Sequence, residues 1–294
     1  MQIMNHLLFP STNFKMKILD IYKNKFSISF EIFPPKDGNC LLLKELEILK
    51  SHNPAFVSLT YGAGGQENKS FELITKIQNS GLNVMPHFTC ITSSKKNIET
   101  HLKNIENMGI KSILALRGDI PEDKELIKHD FHYANELVRF IKEKTDLSIG
   151  VAGYPETHIE SPDIKTDIEN LKRKVDAGAD IIFTQLFFDN DKYYKFVERI
   201  NSVGIDIPVI PGIMPVISEK QILKMTNLAR ITIPEKLQKG IEKFRNDKKS
   251  MIEFGIEYST AQCEDLINSK VKGLHFFTLN KAFSSSRILD NIRR

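Results

Sequence analysis

Tryptophan is absent from the 294 residues, and cysteine is scarce. Cys40, Cys90 and Cys263 are odd in number, far apart and without a Cys-x-x-Cys pair, which argues against a disulfide framework and a thiolate metal site and fits a reducing cytoplasm. Neither sign of charge dominates. The 41 basic and 37 acidic residues are interleaved, so the chain offers no basic face of the kind nucleic acid or anionic lipid selects. No apolar run is long enough to span a bilayer, and Met1 to Pro10 lacks the charged start and long apolar core of a signal peptide. No linker rich in Gly, Pro or Ser divides the chain, and no repeat or low-complexity segment is found. What remains, at 41% hydrophobic and 27% charged, is the composition of a soluble globular protein with a small-molecule partner.

From Phe26 onward, short apolar runs rich in β-formers alternate with amphipathic helical stretches, which is the mark of a parallel sheet with crossover helices. Strands are expected at Ile28 to Phe33, Ala55 to Tyr61, Asn83 to Cys90, Ser112 to Arg117, Ser148 to Tyr154, Asp180 to Phe188, Pro208 to Met214 and Gly273 to Leu279. A helical pair, Glu235 to Asn246 and Lys249 to Asn268, is expected before the last strand. The fold class is therefore α/β, a (β/α)₈ barrel over residues 26–294. Residues 1–25 read as a partly flexible extension, with Met16 an alternative start.

Polar side chains gather where these strands end: Glu31, Thr60, His87, Arg117 with Asp119, Tyr154, Gln185, and Thr278 with Asn280. In a parallel barrel that rim holds the active site. Glu31 is the first candidate for chemistry. It sits inside the apolar run Ser29-Phe30-Glu31-Ile32-Phe33, which Pro34-Pro35 then ends, and a carboxylate buried there costs several kcal/mol unless protonated, paired or used. Any one of the others has a dull account as a hydrogen-bonded structural residue; the concentration at one rim is what favours function.

Other motifs carry two readings each. Gly62-Ala63-Gly64-Gly65 invites a dinucleotide fingerprint, but Glu67 stands where the third glycine belongs and no acid lies near Leu82. A loop that lets backbone approach a flat ligand, or an ordinary turn, remains. Arg117-Gly118-Asp119 reads as a surface ion pair or as a carboxylate kept ionised by its neighbouring Arg and aimed at a cationic ring edge. In the helix after the fifth strand, Ile164, Ile168, Leu171 and Val175 make a buried stripe, with Asp163, Asp167, Asn170 and Lys174 one position earlier. By spacing alone that polar stripe is a solvated face; Lys174 or Arg173 binding phosphate is the sharper account. His87 has no second ligand at metal spacing, so no metal site is expected, and a hydrogen bond to a bound ligand suits it better.

Taken together, Ser29 to Lys36, Leu59-Thr60-Tyr61-Gly62-Ala63-Gly64, Pro86-His87-Phe88-Thr89-Cys90, Leu116-Arg117-Gly118-Asp119, Asn170 to Asp180, Thr184-Gln185 and Pro211-Gly212-Ile213-Met214-Pro215 resemble the bacterial type of methylenetetrahydrofolate reductase. The resemblance runs in order from about Phe26 to near the C-terminus. It implies a barrel holding non-covalent FAD, which takes hydride from NADH or NADPH and passes it to 5,10-methylenetetrahydrofolate. In that family pattern Glu31 is the general acid and Asp119 meets the pterin edge and biases the flavin. The pattern puts Tyr61, Ala63, His87, Arg117, Gly118, Asp119, Tyr133-Ala134, Tyr154, His158, Ser161, Asp167, Asn170, Arg173 and Lys174 against FAD. Thr60, Asp119, Gln185, Gln221 and Lys281 fall on substrate positions.

The chain departs from that pattern in places. Lys281 replaces an Arg toward the folate tail, keeping charge and losing bidentate geometry. Met225 stands where an aromatic is common, and Ser161 replaces a small apolar residue beside the flavin. The C-terminal regulatory domain of animal relatives is not expected. Two other readings stay open: a folate-binding methyltransferase barrel, which would have no use for the FAD contacts, and a flavin-carrying subunit fed by an electron-donating partner. The sequence does not choose between nicotinamides or fix the oligomeric state.

Overall fold

The computed structural model describes residues 16–35, 40–60 and 67–293. Strands β1 (Ser27–Ile32), β2 (Phe56–Leu59), β3 (Val84–Thr89), β4 (Ser112–Leu116), β5 (Ser148–Gly153), β6 (Ile181–Leu186), β7 (Val209–Ile213) and β8 (Gly273–Phe277) close in chain order into one barrel. Every pairing is parallel, and β8 returns to β1 with Glu31 opposite Phe277. All eight expected strands are present, each ending one or two residues earlier than the apolar runs do. The run continues past the last ladder hydrogen bond because the rim loops are themselves part-buried.

The helices are α1 (Ile18–Asn24), α2 (Cys40–Lys50), α3 (Glu67–Asn79), α4 (Lys95–Asn107), α5 (Ala134–Lys144), α6 (Ile164–Asp176), α7 (Asn190–Ser202), α8 (Glu219–Ala229), α9 (Glu235–Phe244), α10 (Lys248–Asn268) and α11 (Ala282–Ile292). The α9–α10 pair is the helical pair expected before the last strand. At Gly255 of α10 a Cβ would fall 1.8 Å from the Val216 carbonyl oxygen, so only glycine lets this helix pack against the loop after β7.

Strand periodicity decides which side chains enter the barrel. Ile28, Phe30, Ile32, Val57, Leu59, Ile113 and Phe276 face outward into the layer between sheet and helices. Their neighbours Phe56, Met85, Leu114, Ile181, Phe183 and Ile210 pack inside. The same alternation turns Ser29 and Glu31, Ser58 and Thr60, Met85 and His87, Phe183 and Gln185 inward, the last of each pair toward the rim. The polar rim is thus the continuation of the apolar interior by one step of the pleat.

Helix α1 lies within the stretch that the sequence sets apart as an extension, yet it closes the barrel floor. Ile18, Ile21 and Tyr22, at helical spacing, pack against the interior cluster, and Tyr22 is fully buried edge-on to Phe56 and Phe183. The Ile18 N–H donates to Ser112 Oγ at 2.8 Å, tying the helix to β4.

Candidate active site

Glu31 stands at the mouth end of β1 with its side chain 24% exposed, and His87 Nε2 of β3 lies 3.6 Å from its carboxylate, too far for a hydrogen bond. Burial pushes the Glu31 pKa up to about 7. The same loss of water drives buried His87 down to about 3, so the imidazole is neutral and cannot hold Glu31 ionised. Among the described residues His87 Nε2 has no hydrogen-bond partner, leaving a buried polar atom beside Glu31. Below it, His275 is pushed to about 3 by burial and by His87, and its ring joins Ser29 Oγ at 2.8 Å and Ser58 Oγ at 3.4 Å. Ser29 in turn meets the Tyr22 hydroxyl at 3.2 Å, so a buried polar column runs from the floor toward Glu31.

The strand carrying Glu31 is held at its end from β8. Thr278 Oγ1 donates to the Glu31 carbonyl at 2.7 Å, and the Thr278 N–H reaches the same oxygen at 3.3 Å. Asn280 accepts from the Phe33 N–H at 2.9 Å and donates through Nδ2 to the Phe33 carbonyl at 2.7 Å. Leu279 and Asn280 reach these positions with φ of 50° and 59°, a left-handed pair that costs about 1–2 kcal/mol at a leucine.

A second locus lies at the ends of β4 and β5. A cavity of about 690 Å³ is lined by Arg117, Tyr133, Ala134, Tyr154, His158, Ser161, Asp167, Asn170, Arg173 and Lys174, together with Glu160. Ten residues of the FAD pattern, from Arg117 to Lys174, thus come together. Lys174 donates to the Ala152 carbonyl at 2.5 Å and sits 5.7 Å over the Tyr154 ring. Burial lowers its pKa to about 8, with Asp167 opposing the fall. Asp167 is buried and raised by the same desolvation, which Lys174 partly offsets. Ser161 Oγ has no partner among the described residues. Thr157 takes φ 77°, a conformation a β-branched residue reaches only at a cost of roughly 1–3 kcal/mol, and that bend brings Tyr154 and His158 edge to face at 4.6 Å.

Some expectations change. Arg117 does not pair with Asp119: its guanidinium makes a fork with Glu160 at 2.5 and 2.6 Å, and Asp119 is exposed. Residue 118 is a glycine at φ 89°, and that turn separates the two neighbours, while the loop after Thr157 swings Glu160 into reach. Glu160 was missed because an unpatterned loop residue gives no periodic signal. The polar stripe of α6 is only partly a solvated face: Asp163 and Asn170 are exposed, whereas Asp167 is buried and Lys174 half-buried; Asp163 is the N-cap, accepting from the Thr166 N–H at 2.7 Å. Ile164, expected in the buried stripe, is exposed in the first turn, whereas Ile168 and Leu171 are buried. Gln221, in the first turn of α8, holds the loop before the helix, accepting from the Ile217 N–H at 3.1 Å and donating to the Pro215 carbonyl at 3.3 Å.

The remaining residues are spread over several elements. Thr60 follows β2 and is half-buried; Gln185 on β6 accepts from the Leu186 N–H at 2.9 Å. Lys281 is exposed at the start of α11, and Met225 packs into the cluster of α8 to α10. Tyr61, Ala63, the glycines around them and Lys36 lie outside the described residues. No His, Cys, Asp and Glu grouping suited to a metal occurs among the described residues, and no helix among them is long and apolar enough to cross a membrane.

Comparison with known proteins places this geometry. In structure, a Clostridium thermocellum protein described as binding two copies of 5-methyl-5,6,7,8-tetrahydrofolic acid shares the fold at TM-score 0.67 and 14% identity, over 92% of this chain and 95% of that one. Tryptophan synthase of Mycobacterium tuberculosis shares it at TM-score 0.58 and 10% identity, over 95% of this chain and 100% of that one. In sequence, 5,10-methylenetetrahydrofolate reductase of Salmonella typhimurium is 38% identical over 270 residues, 90% of either chain, and that of Escherichia coli is 37% identical over the same share. Methylenetetrahydrofolate reductase (NADH) 1 of Arabidopsis thaliana is 36% identical over 94% of this chain and 51% of the plant protein. The family model described as methylenetetrahydrofolate reductase matches residues 16–293, a span that takes in the floor helix, the Glu31 rim and the β4–β5 cavity. The chain belongs to the methylenetetrahydrofolate reductase family, a family of oxidoreductases.

Proposed function

We propose that this barrel reduces 5,10-methylenetetrahydrofolate to 5-methyltetrahydrofolate with hydride from NADH or NADPH through FAD, the two substrates using one flavin face in turn. The observation that carries the reading is Glu31, a carboxyl at the barrel mouth whose pKa of about 7 lets it hold a proton at neutral pH.

The substrate's five-membered ring must open to an iminium ion before its carbon can accept hydride. Opening breaks the bond to one nitrogen, and that nitrogen needs a proton as it departs. Glu31 is the donor, and the carboxylate left behind recovers a proton from solvent at the mouth. Neutral His87, facing Glu31 with an unpartnered nitrogen, adds no charge that would discharge the acid early. Asp119 and Gln185 would hold the pterin, Thr60 the nicotinamide, and Lys281 the anionic folate tail as a point charge.

The residues of the β4–β5 cavity fit FAD. Lys174 and Arg173 supply cations for a diphosphate, with Arg117 beside them on Glu160, Asp167 is a buried acceptor for ribose hydroxyls, and Ser161 Oγ is a buried polar atom without a partner among the described residues. Bound there, FAD would supply the hydride relay that no side chain can perform. We assign residues 26–294, with α1 beneath them, to one catalytic unit in the cytoplasm.

The test is the visible spectrum of the purified protein under anaerobic conditions, before NADH, after NADH and after methylenetetrahydrofolate. A yellow protein that bleaches and then recovers its colour supports both half-reactions. A yellow protein unmoved by either nicotinamide shifts the electron source to a partner protein, and a colourless one that cannot be reconstituted with FAD overturns the assignment.

A further inference from the structure

Glu31 can act as an acid only if its carboxyl is held at the mouth. Toward β2 the backbone beyond it is still held, the Ile32 carbonyl accepting from the Thr60 N–H at 3.0 Å, but toward β8 the ladder stops at the acid. Ladder pairing between β1 and β8 ends at Glu31 and Phe277. Pro34 and Pro35 have no N–H to donate. Phe33 therefore offers the last backbone N–H by which the end of β1 can be fixed, and that N–H and the Phe33 carbonyl both go to the one carboxamide of Asn280. Thr278 takes the Glu31 carbonyl, and the Asn280 N–H closes back on Thr278 Oγ1 at 3.1 Å. Side chains of the loop after β8 thus prolong the β8 edge of the sheet past its last rung, from the carbonyl of the acid to Phe33.

Resting on the folate-reductase reading, we infer that Asn280 is a positioning residue for the folate half-reaction: its carboxamide clamps the backbone of Phe33 and so fixes where Glu31 delivers its proton. Asparagine suits the position twice over. It tolerates the left-handed φ of 59°, and its carboxamide presents an acceptor and a donor side by side, the pair that the N–H and carbonyl of one extended residue require. Asn280 touches neither the β4–β5 cavity nor its cations. The clamp should accordingly separate the two half-reactions.

Asn280→Gly is the informative variant, because glycine keeps the left-handed backbone while deleting both hydrogen bonds. Anaerobic stopped-flow should then show FAD binding and flavin reduction by NADH within about twofold of wild type, and reoxidation by methylenetetrahydrofolate slowed about tenfold or more. Asn280→Asp, which keeps the acceptor and loses the donor, should fall between. Hydrogen exchange at the Phe33 amide should accelerate in the glycine variant. Equal losses in both half-reactions would mark Asn280 as a structural residue, and unchanged reoxidation would overturn the clamp outright. Wild type measured alongside separates the layers: a wild-type chain that binds FAD but is never reoxidised by the folate removes the functional reading and this role with it, whereas a working wild type and a matching variant remove the clamp alone.

Discussion

Glu31 keeps its proton near neutrality for want of water around it, and no partner charge is needed to explain this. The sign of the consequence follows. A carboxyl whose folded pKa of about 7 exceeds the ordinary 4.5 stabilises the fold fully below pH 4.5, and that contribution drains away as pH rises through 7. Glu31→Gln cannot ionise, so it should match wild type in thermal melts near pH 4 and exceed it at pH 8, by on the order of 1–3 kcal/mol. The same variant should still let NADH reduce the flavin but abolish folate reduction. Loss of both half-reactions with FAD still bound would rule out the acid role, and equal melting at pH 8 would rule out the buried proton. The position of Glu31 was legible in the sequence because a lone acid in a strand has few explanations. The hydrogen bonds of Asn280 were not, since they join residues at opposite ends of the chain and leave no pattern in either.

At the scale of elements, α6 shows how far periodicity reads and where it stops. Its polar stripe was visible, but spacing cannot say which side of a polar stripe is wet. The cavity at the ends of β4 and β5 does, by drawing Asp167 and Lys174 out of water. Glu160 had no such signal, because the turns at Gly118 and Thr157 decide which carboxylate meets Arg117. Lys174 carries the prediction at this scale. With its pKa lowered to about 8 it is still charged at pH 7, and a diphosphate would favour that charge. Affinity for FAD, followed by quenching of FAD fluorescence on titration of the apoprotein, should weaken as pH rises from 7 through 9. In Lys174→Met it should be about tenfold weaker or more at pH 7 and lose most of that slope. An unaltered slope would place the titrating group elsewhere.

For the whole molecule, the alternation of strands and helices made the barrel readable, since a closed parallel sheet demands that rhythm eight times over. Helix α1 escaped because seven residues bearing Ile18, Ile21 and Tyr22 are too short a run to stand out, although they fill the floor. Tyr22→Ala should therefore cost about 3–5 kcal/mol in denaturant unfolding, as a large ring removed from a packed interior does. A loss below 1 kcal/mol would mean that the floor is not sealed by this helix.

That floor also settles the traffic. With the interior packed and its floor covered by Tyr22 and its neighbours, Glu31 is approached from the mouth, so on the proposed function a nicotinamide that lingers would keep a folate waiting outside. Turnover at such a mouth would be a queue, its pace set by departures as much as by the chemistry within.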